Sequence, residues 1–225
     1  MSTNTRTSQG ERDAFKSDGF VKVERLIDAA QTAALQGDYD RVLAGDIYVP
    51  EMDGERKPGL QVQLNNPSQH VPGWSDHPYL TAATAVAAEL LDADVEFYYD
   101  QMIFKPSHYP ATTDWHQDAA YWDHETGGRA GVTCWLALSD TFVDNGCLQF
   151  IPGSHLEQVR QHESIADRAE IAEALGVLEL DTSTAVAVPL SAGGASFHHS
   201  RTLHYAGGNA SDVPRRGLIT HFLAK

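Results

Sequence analysis

The sequence is short of cysteine, of cations and of long apolar runs. Its 225 residues include two cysteines, Cys134 and Cys147, and each stands inside an apolar run, "GVTCWLAL" and "GCLQFI". Such thiols read as buried and reduced, which sets aside a disulfide framework. Lys and Arg total 16 against 31 Asp and Glu, a formal net charge of −15. A surface this acidic repels nucleic acid and anionic membranes, so neither is expected as a partner. It also disfavours a highly anionic substrate such as an acyl-CoA. No run approaches the roughly 18 apolar residues of a membrane span. The start, "MSTNTRTSQGERD", lacks the apolar stretch of a secretory signal. The expected location is the cytoplasm. Internal repeats and low-complexity segments are also missing.

What is present is a globular composition, 42% hydrophobic and 21% charged. The length suits one domain. Residues 1–10 read as a flexible tail and 11–225 as a single domain. A short helix is expected at 11–17, then a strand in "GFVKVERLI", then a helix over 28–44 with Asp28 as N-cap. The stretch from 46 to 74 is rich in Pro, Gly and Asn and reads as a long loop with one strand at 60–64. Loops of that length are functional or mobile more often than not. "HPYLTAATAVAAELLDA" reads as a helix with an Ala-rich face packed on a sheet.

After residue 93 the texture changes. "DVEFYYDQMIFKP", "GVTCWLALSD", "CLQFIPGS", "TAVAVPL", "GASFHH" and "RGLITHFLA" are short apolar or alternating runs separated by turn residues. This is the pattern of an all-β sandwich or barrel. Asn145-Gly146 is a hairpin-turn signal. "HESIADRAEIAEALGVLEL", 162–180, breaks the pattern and reads as a charged helix inserted between strands. An insert around 156–182 beside a barrel mouth is a natural lid.

The chemistry concentrates in "TTDWHQDAAYW", Thr112 to Trp122. His-x-Asp on a strand would put His116 and Asp118 on one face, with Gln117 pointing away. A third, distant His would complete a facial set of two His and one carboxylate, the ligand pattern of non-haem Fe(II) oxygenases. Zinc prefers a closed tetrahedral or His-rich set. "FHHSRTLHYAGGNASDVPRRGLITHF" supplies candidate histidines and, at the start of the last strand, Arg215. A guanidinium beside such a site suits a small dicarboxylate, which it grips with two parallel hydrogen bonds while staying charged.

"HQD", then "NGCLQFIPGSH", then "FHHSRTLHYAGGNASDVPRRGLITHF" resemble, in that order, the phytanoyl-CoA dioxygenase (PhyH) family. The resemblance runs from "FKSDGFVKV" to the last strand. It implies a mainly β fold with flanking helices, a double-stranded β-helix of jelly-roll, cupin-like form. It implies Fe(II) held by His116, Asp118 and His204, with His198 as a non-ligand. It implies 2-oxoglutarate as cosubstrate, its far carboxylate on Arg215, with Gln101 and Trp135 also in contact. Thr133, two residues before Trp135 on the same strand face, could reach the same molecule. O2 and 2-oxoglutarate would become succinate and CO2 while a C–H bond of a small molecule is oxidised, most simply hydroxylated. An amino acid or natural product is the expected substrate class, with Trp122 and Tyr121 as candidate substrate contacts. Halogenating members carry a small residue in place of the carboxylate, so Asp118 argues against halogenation. Where the family has His-x-Ser this chain has His204-Tyr205-Ala206, which removes a hydroxyl near the cosubstrate. Two other classes use similar ligands: a cupin-type metal-dependent hydrolase or isomerase, and a non-catalytic small-molecule-binding barrel. The first has no need of a dicarboxylate anchor such as Arg215 and Gln101, and the intact ligand set with Arg215 argues against the second.

Overall fold

A computed structural model of the chain describes residues 6–50, 61–165 and 175–225. Among the described residues, three helices lie in the N-terminal part of the chain, with two strands between them. α1 (Gln9–Asp18) opens on a capping box between Ser8 and Glu11, which satisfies two of the helix's free N–H groups. Gln9 and Gly10 belong to α1, and Thr7 donates from both its backbone N–H and its hydroxyl to Glu89 (2.7 and 2.6 Å). α2 (Ala29–Ala44) is capped by Asp28 as its sequence suggests, the carboxylate accepting from the Gln31 N–H at 2.8 Å. α3 (Pro78–Leu91) starts on a Pro at its first position, where no N–H is needed.

Among the described residues there are twelve strands, most of them on the runs read from the sequence: β1 (Phe20–Val23), β2 (Val62–Asn65), β3 (Val95–Lys105), β4 (Thr113–His116), β5 (Gly131–Ala137), β6 (Leu148–Phe150), β7 (Glu163–Ser164), β8 (Leu175–Gly176), β9 (Val186–Val188), β10 (Ala195–His199), β11 (His204–Ala206) and β12 (Arg215–Ala224). One antiparallel sheet has the order β1-β10-β5-β12-β3-β2 and a second the order β4-β11-β6-β9. Together they make the double-stranded β-helix, a jelly roll with helices outside. No helix among the described residues is long and apolar enough to cross a membrane.

Two expectations fail locally. The segment 162–180 contributes the small β7–β8 pair rather than helix at 163–164 and 175–176, and residues 166–174 lie outside the described residues, as do 51–60 of the long loop. Asn145-Gly146 does not close a two-residue hairpin. It ends a 3₁₀ turn at Val143–Asn145, and the strands on either side belong to different sheets. The Asn145 side chain holds this turn, accepting from the Phe142 N–H at 2.8 Å and donating to the Asp140 carbonyl at 2.9 Å.

A central strand of the large sheet, β5, is buried on both faces, and strand alternation sorts the sheet's residues. Val132, Cys134 and Leu136 of β5 and Leu218 and Phe222 of β12 face the helices. There they join Leu35, Tyr39, Ala83, Val86 and Ala87 in one apolar core. Trp135 and Ala137 of β5 and Ile219 of β12 face the second sheet and pack with Leu148, Phe150 and Ala206. Register then lines inward residues up across the sheet. One row runs Phe20, His198, Thr133, His221, Tyr99. The next runs Ser196, Trp135, Ile219, Gln101, Asn65.

Gly217 makes room in this arrangement. A Cβ there would lie 2.4 Å from the Trp135 ring. Gly217→Ala is expected to cost about 2 kcal/mol by overpacking, read as a lower urea midpoint with an unchanged slope.

Candidate metal centre and cosubstrate pocket

β4 ends at His116, and the chain turns through Gln117 and Asp118 into α4 (Ala119–Thr126). The His-x-Asp pair is therefore not two residues of one strand. His116 is the last strand residue, and Asp118 comes from the turn that opens the helix, its carbonyl accepting from the Tyr121 N–H at 2.9 Å. Gln117 does point away. It is fully buried, donates to the Arg201 carbonyl at 2.6 Å and accepts from the Arg160 N–H at 2.8 Å.

β11 pairs with β4 so that His204 stands opposite His116, with ring centroids 4.1 Å apart. One donor atom from each of His116, Asp118 and His204 falls within 4.8 Å of the others. His204 Nε2 is 3.5 Å and His116 Nε2 3.9 Å from Asp118 Oδ1. Donors about 2.0–2.2 Å from one ion at right angles would sit about 3 Å apart, so small closing movements let all three grip one ion.

The protons are placed for that role. His116 Nδ1 lies 2.7 Å from the Asp114 carbonyl and His204 Nδ1 3.0 Å from the Thr202 carbonyl. A carbonyl only accepts, so both Nδ1 atoms carry hydrogen and both Nε2 lone pairs face Asp118. Burial holds both rings below the ordinary histidine pKa, His204 well below it. Burial works against the charge of Asp118, but His204 and the hydrogen bond from His198 outweigh it, and the carboxyl sits well below its usual range. Two neutral imidazoles and a carboxylate are what a divalent cation needs.

Arg215, at the start of β12, is 2% exposed. Its guanidinium donates to the Gly146 carbonyl and lies 5.4 Å from the Trp135 ring centroid. Its Nε has no hydrogen-bond partner among the described residues. Burial lowers its pKa to about 10, which leaves it charged at neutral pH. A charged, buried group with an unmet donor calls for an anion.

Arg215 and the metal cluster open into one cavity of about 470 Å³ between the sheets, and all nine residues singled out from the sequence line it. Gln101 donates to Asn65 Oδ1 at 2.8 Å, and its Oε1 is 3.1 Å from His221 Nε2. The Thr133 hydroxyl is committed to Asp118 Oδ2 at 2.5 Å, so its strongest contact is the carboxylate rather than the cosubstrate space. Trp122 is buried and stacks on Tyr98 at 5.3 Å. Tyr121 meets the His116 ring edge-on at 5.9 Å, and its hydroxyl accepts from the Leu175 N–H of β8 at 2.9 Å.

His198, expected as a non-ligand, donates toward Asp118 (3.1 Å). Sequence reasoning missed Tyr98, Tyr99, Asn65, Asp114 and Glu125, which line the cavity. His221 was legible: it shares alternation with Arg215 and Ile219. Lys105, the cross-strand partner of Arg215, is fully buried. It donates to the Ala111 and Gly207 carbonyls at 3.0 and 2.7 Å. Burial, then the charge of Arg215, push its pKa down to about 6.

Comparison with known proteins identifies the family. The family model described as phytanoyl-CoA dioxygenase (PhyH) matches residues 15–217. The chain belongs to the phytanoyl-CoA dioxygenase family. A solved structure of EvdO2 from Micromonospora carbonacea var. aurantiaca, complexed with 2-oxoglutarate, is 34% identical with a TM-score of 0.85, over 98% of this chain and 92% of that one. A "probable alpha-ketoglutarate-dependent hypophosphite dioxygenase" of Stutzerimonas stutzeri is 25% identical over 92% of this chain and 75% of its own. Phytanoyl-CoA dioxygenase domain-containing protein 1 of Rattus norvegicus is 33% identical over 54% of this chain, which spans 42% of that protein's length. This PhyH-family member is a 2-oxoglutarate-dependent dioxygenase, an oxidoreductase whose cofactors are iron and 2-oxoglutarate.

Proposed function

We propose that the protein hydroxylates an unactivated C–H bond of a small natural product, with His116, Asp118 and His204 holding Fe(II) and Arg215 holding the far carboxylate of 2-oxoglutarate. The observation that carries this reading is the buried guanidinium with an unmet donor, opening into the same cavity as the three-donor cluster. A metal hydrolase, an isomerase or a passive binding barrel has no use for that anchor.

When bound, the iron supplies O2 activation coupled to oxidative decarboxylation of 2-oxoglutarate to succinate and CO2. The chain's own residues do the rest. Asp114 and Thr202 carbonyls hold the two ligand imidazoles in the tautomer that presents Nε2. Arg215 orients the cosubstrate through a two-pronged grip, with Trp135 and Gln101 flanking it. The Tyr98–Trp122 stack and the β7–β8 arm, through Ile165 and Leu175, wall the cavity against water. This arm is our candidate lid over a single domain spanning 11–225.

Substrate class follows from the charges that remain. With Arg215 committed to the cosubstrate, no other Lys or Arg is among the described lining residues, while Asp114 and Glu125 are. An acyl-CoA or an amino acid carboxylate would enter without a counter-charge. A neutral compound with an apolar face to lay on Tyr98 and Trp122 fits better.

Anaerobic addition of Fe(II) and 2-oxoglutarate tests the assignment. A weak visible charge-transfer band is expected, absent in His116→Ala. Iron-loaded protein that shows no band on adding 2-oxoglutarate overturns it.

A further inference from the structure

Asp118 uses its two oxygens differently. Oδ1 faces the Nε2 atoms of His116 and His204. Oδ2 faces the Thr133 hydroxyl at 2.5 Å and His198 Nε2 at 3.1 Å. An ionised carboxylate only accepts, so the hydroxyl must donate and His198 must carry its proton on Nε2. The remaining lone pair of Thr133 then accepts from His221 Nδ1, 2.9 Å away. The other nitrogen of His198 has no partner among the described residues. Among the described residues, that ring's hydrogen bond goes to Asp118.

Both donors are nearly inaccessible, His198 at 1% and Thr133 at 2%. They are cross-strand neighbours in register, on β10 and β5, so the large sheet fixes their spacing. Two donors occupy both lone-pair directions of Oδ2. For this oxygen to turn to a metal, two buried donors would have to lose their acceptor.

We propose that Thr133 and His198 are positioning residues that clamp Oδ2 and keep Asp118 a one-oxygen ligand, so that the positions beside it stay open for the keto acid and O2. This rests on Asp118 being an iron ligand. An octahedral iron with two imidazoles and one carboxylate oxygen has three positions left. A bidentate 2-oxoglutarate and O2 need all three, and a two-oxygen Asp118 would take one away.

The test uses Thr133→Val and His198→Phe, singly and together, with Thr133→Ser and His198→Gln as variants that keep a donor. Metal affinity is titrated with cobalt(II), and 2-oxoglutarate affinity of the Fe(II)-loaded protein by the visible band. We expect 2-oxoglutarate affinity to fall about tenfold in Thr133→Val and His198→Phe, and further in the double variant, while metal affinity stays within about threefold; other residues that buttress metal ligands typically show losses of 10–100-fold. Ser and Gln restore it. Crystals of the cobalt-loaded double variant should show both Asp118 oxygens on the metal, against one in the unaltered protein. The proposal is overturned if metal affinity falls while the loaded fraction binds 2-oxoglutarate normally, or if Asp118 stays one-oxygen in the double variant. No band in the unaltered protein counts against the oxygenase reading. The cobalt crystals still decide the clamp.

Discussion

His204→Ala is expected to reduce 2-oxoglutarate-dependent succinate formation by about 10³-fold or more, since each tenfold is 1.36 kcal/mol and a bound metal contributes several kcal/mol to such a reaction. The side chain is 6% exposed and its Nε2 faces Asp118 Oδ1 at 3.5 Å. Among the described residues no other group is placed to substitute. His198 is the nearest candidate, with ring centroids 4.3 Å apart, but its Nε2 hydrogen is engaged by Oδ2 of the same carboxylate. Swapping its role would break that bond. Succinate release and the anaerobic visible band should fall together. Near-normal turnover in His204→Ala would make His198 the third ligand.

Arg215→Met should raise the KM for 2-oxoglutarate by about 100-fold with a smaller change in kcat, because truncating one partner of a buried hydrogen-bonded charge pair costs about 2–5 kcal/mol. Methionine fills much of the space beside Trp135 without a charge, so the fold should persist. Arg215→Lys should recover only part of the loss: it keeps the charge but not the planar fork. Initial rates against 2-oxoglutarate concentration check both. An unchanged KM would move the cosubstrate anchor elsewhere.

Much of this molecule was legible because local rules sufficed. Asp28 caps α2 through its own carboxylate, and β5 and β12 announce themselves by composition. Alternation along β12 places Arg215, Ile219 and His221 on one side. The pair His116 and Asp118 showed where that rule stops. Period two holds inside a strand, and the strand ends at His116, so Asp118 reaches the site through a helix-opening turn. The 162–180 stretch has helical composition, yet β7 and β8 pair with one another, because pairing across a connection can override local propensity. The clamp on Asp118 was beyond sequence reading for a different reason. His198 lies 80 residues from its carboxylate partner, and only the register of β1, β10, β5 and β12 sets it beside Thr133. Period tells which face a side chain takes. Register, which tells whom it meets, is fixed by the whole sheet.

The row Phe20, His198, Thr133, His221, Tyr99 has a thermodynamic side as well. The groups that steady Asp118 come from three adjacent strands, and the candidate ligands from β4, β11 and the turn before α4. Neither set is local in sequence, so the unfolded chain has no comparable affinity for metal. Loading the centre is then linked to global folding: each tenfold excess of free metal over its dissociation constant adds about 1.4 kcal/mol to the stability of both sheets at once. The ion would serve this chain as a rivet for its architecture before it takes any part in chemistry.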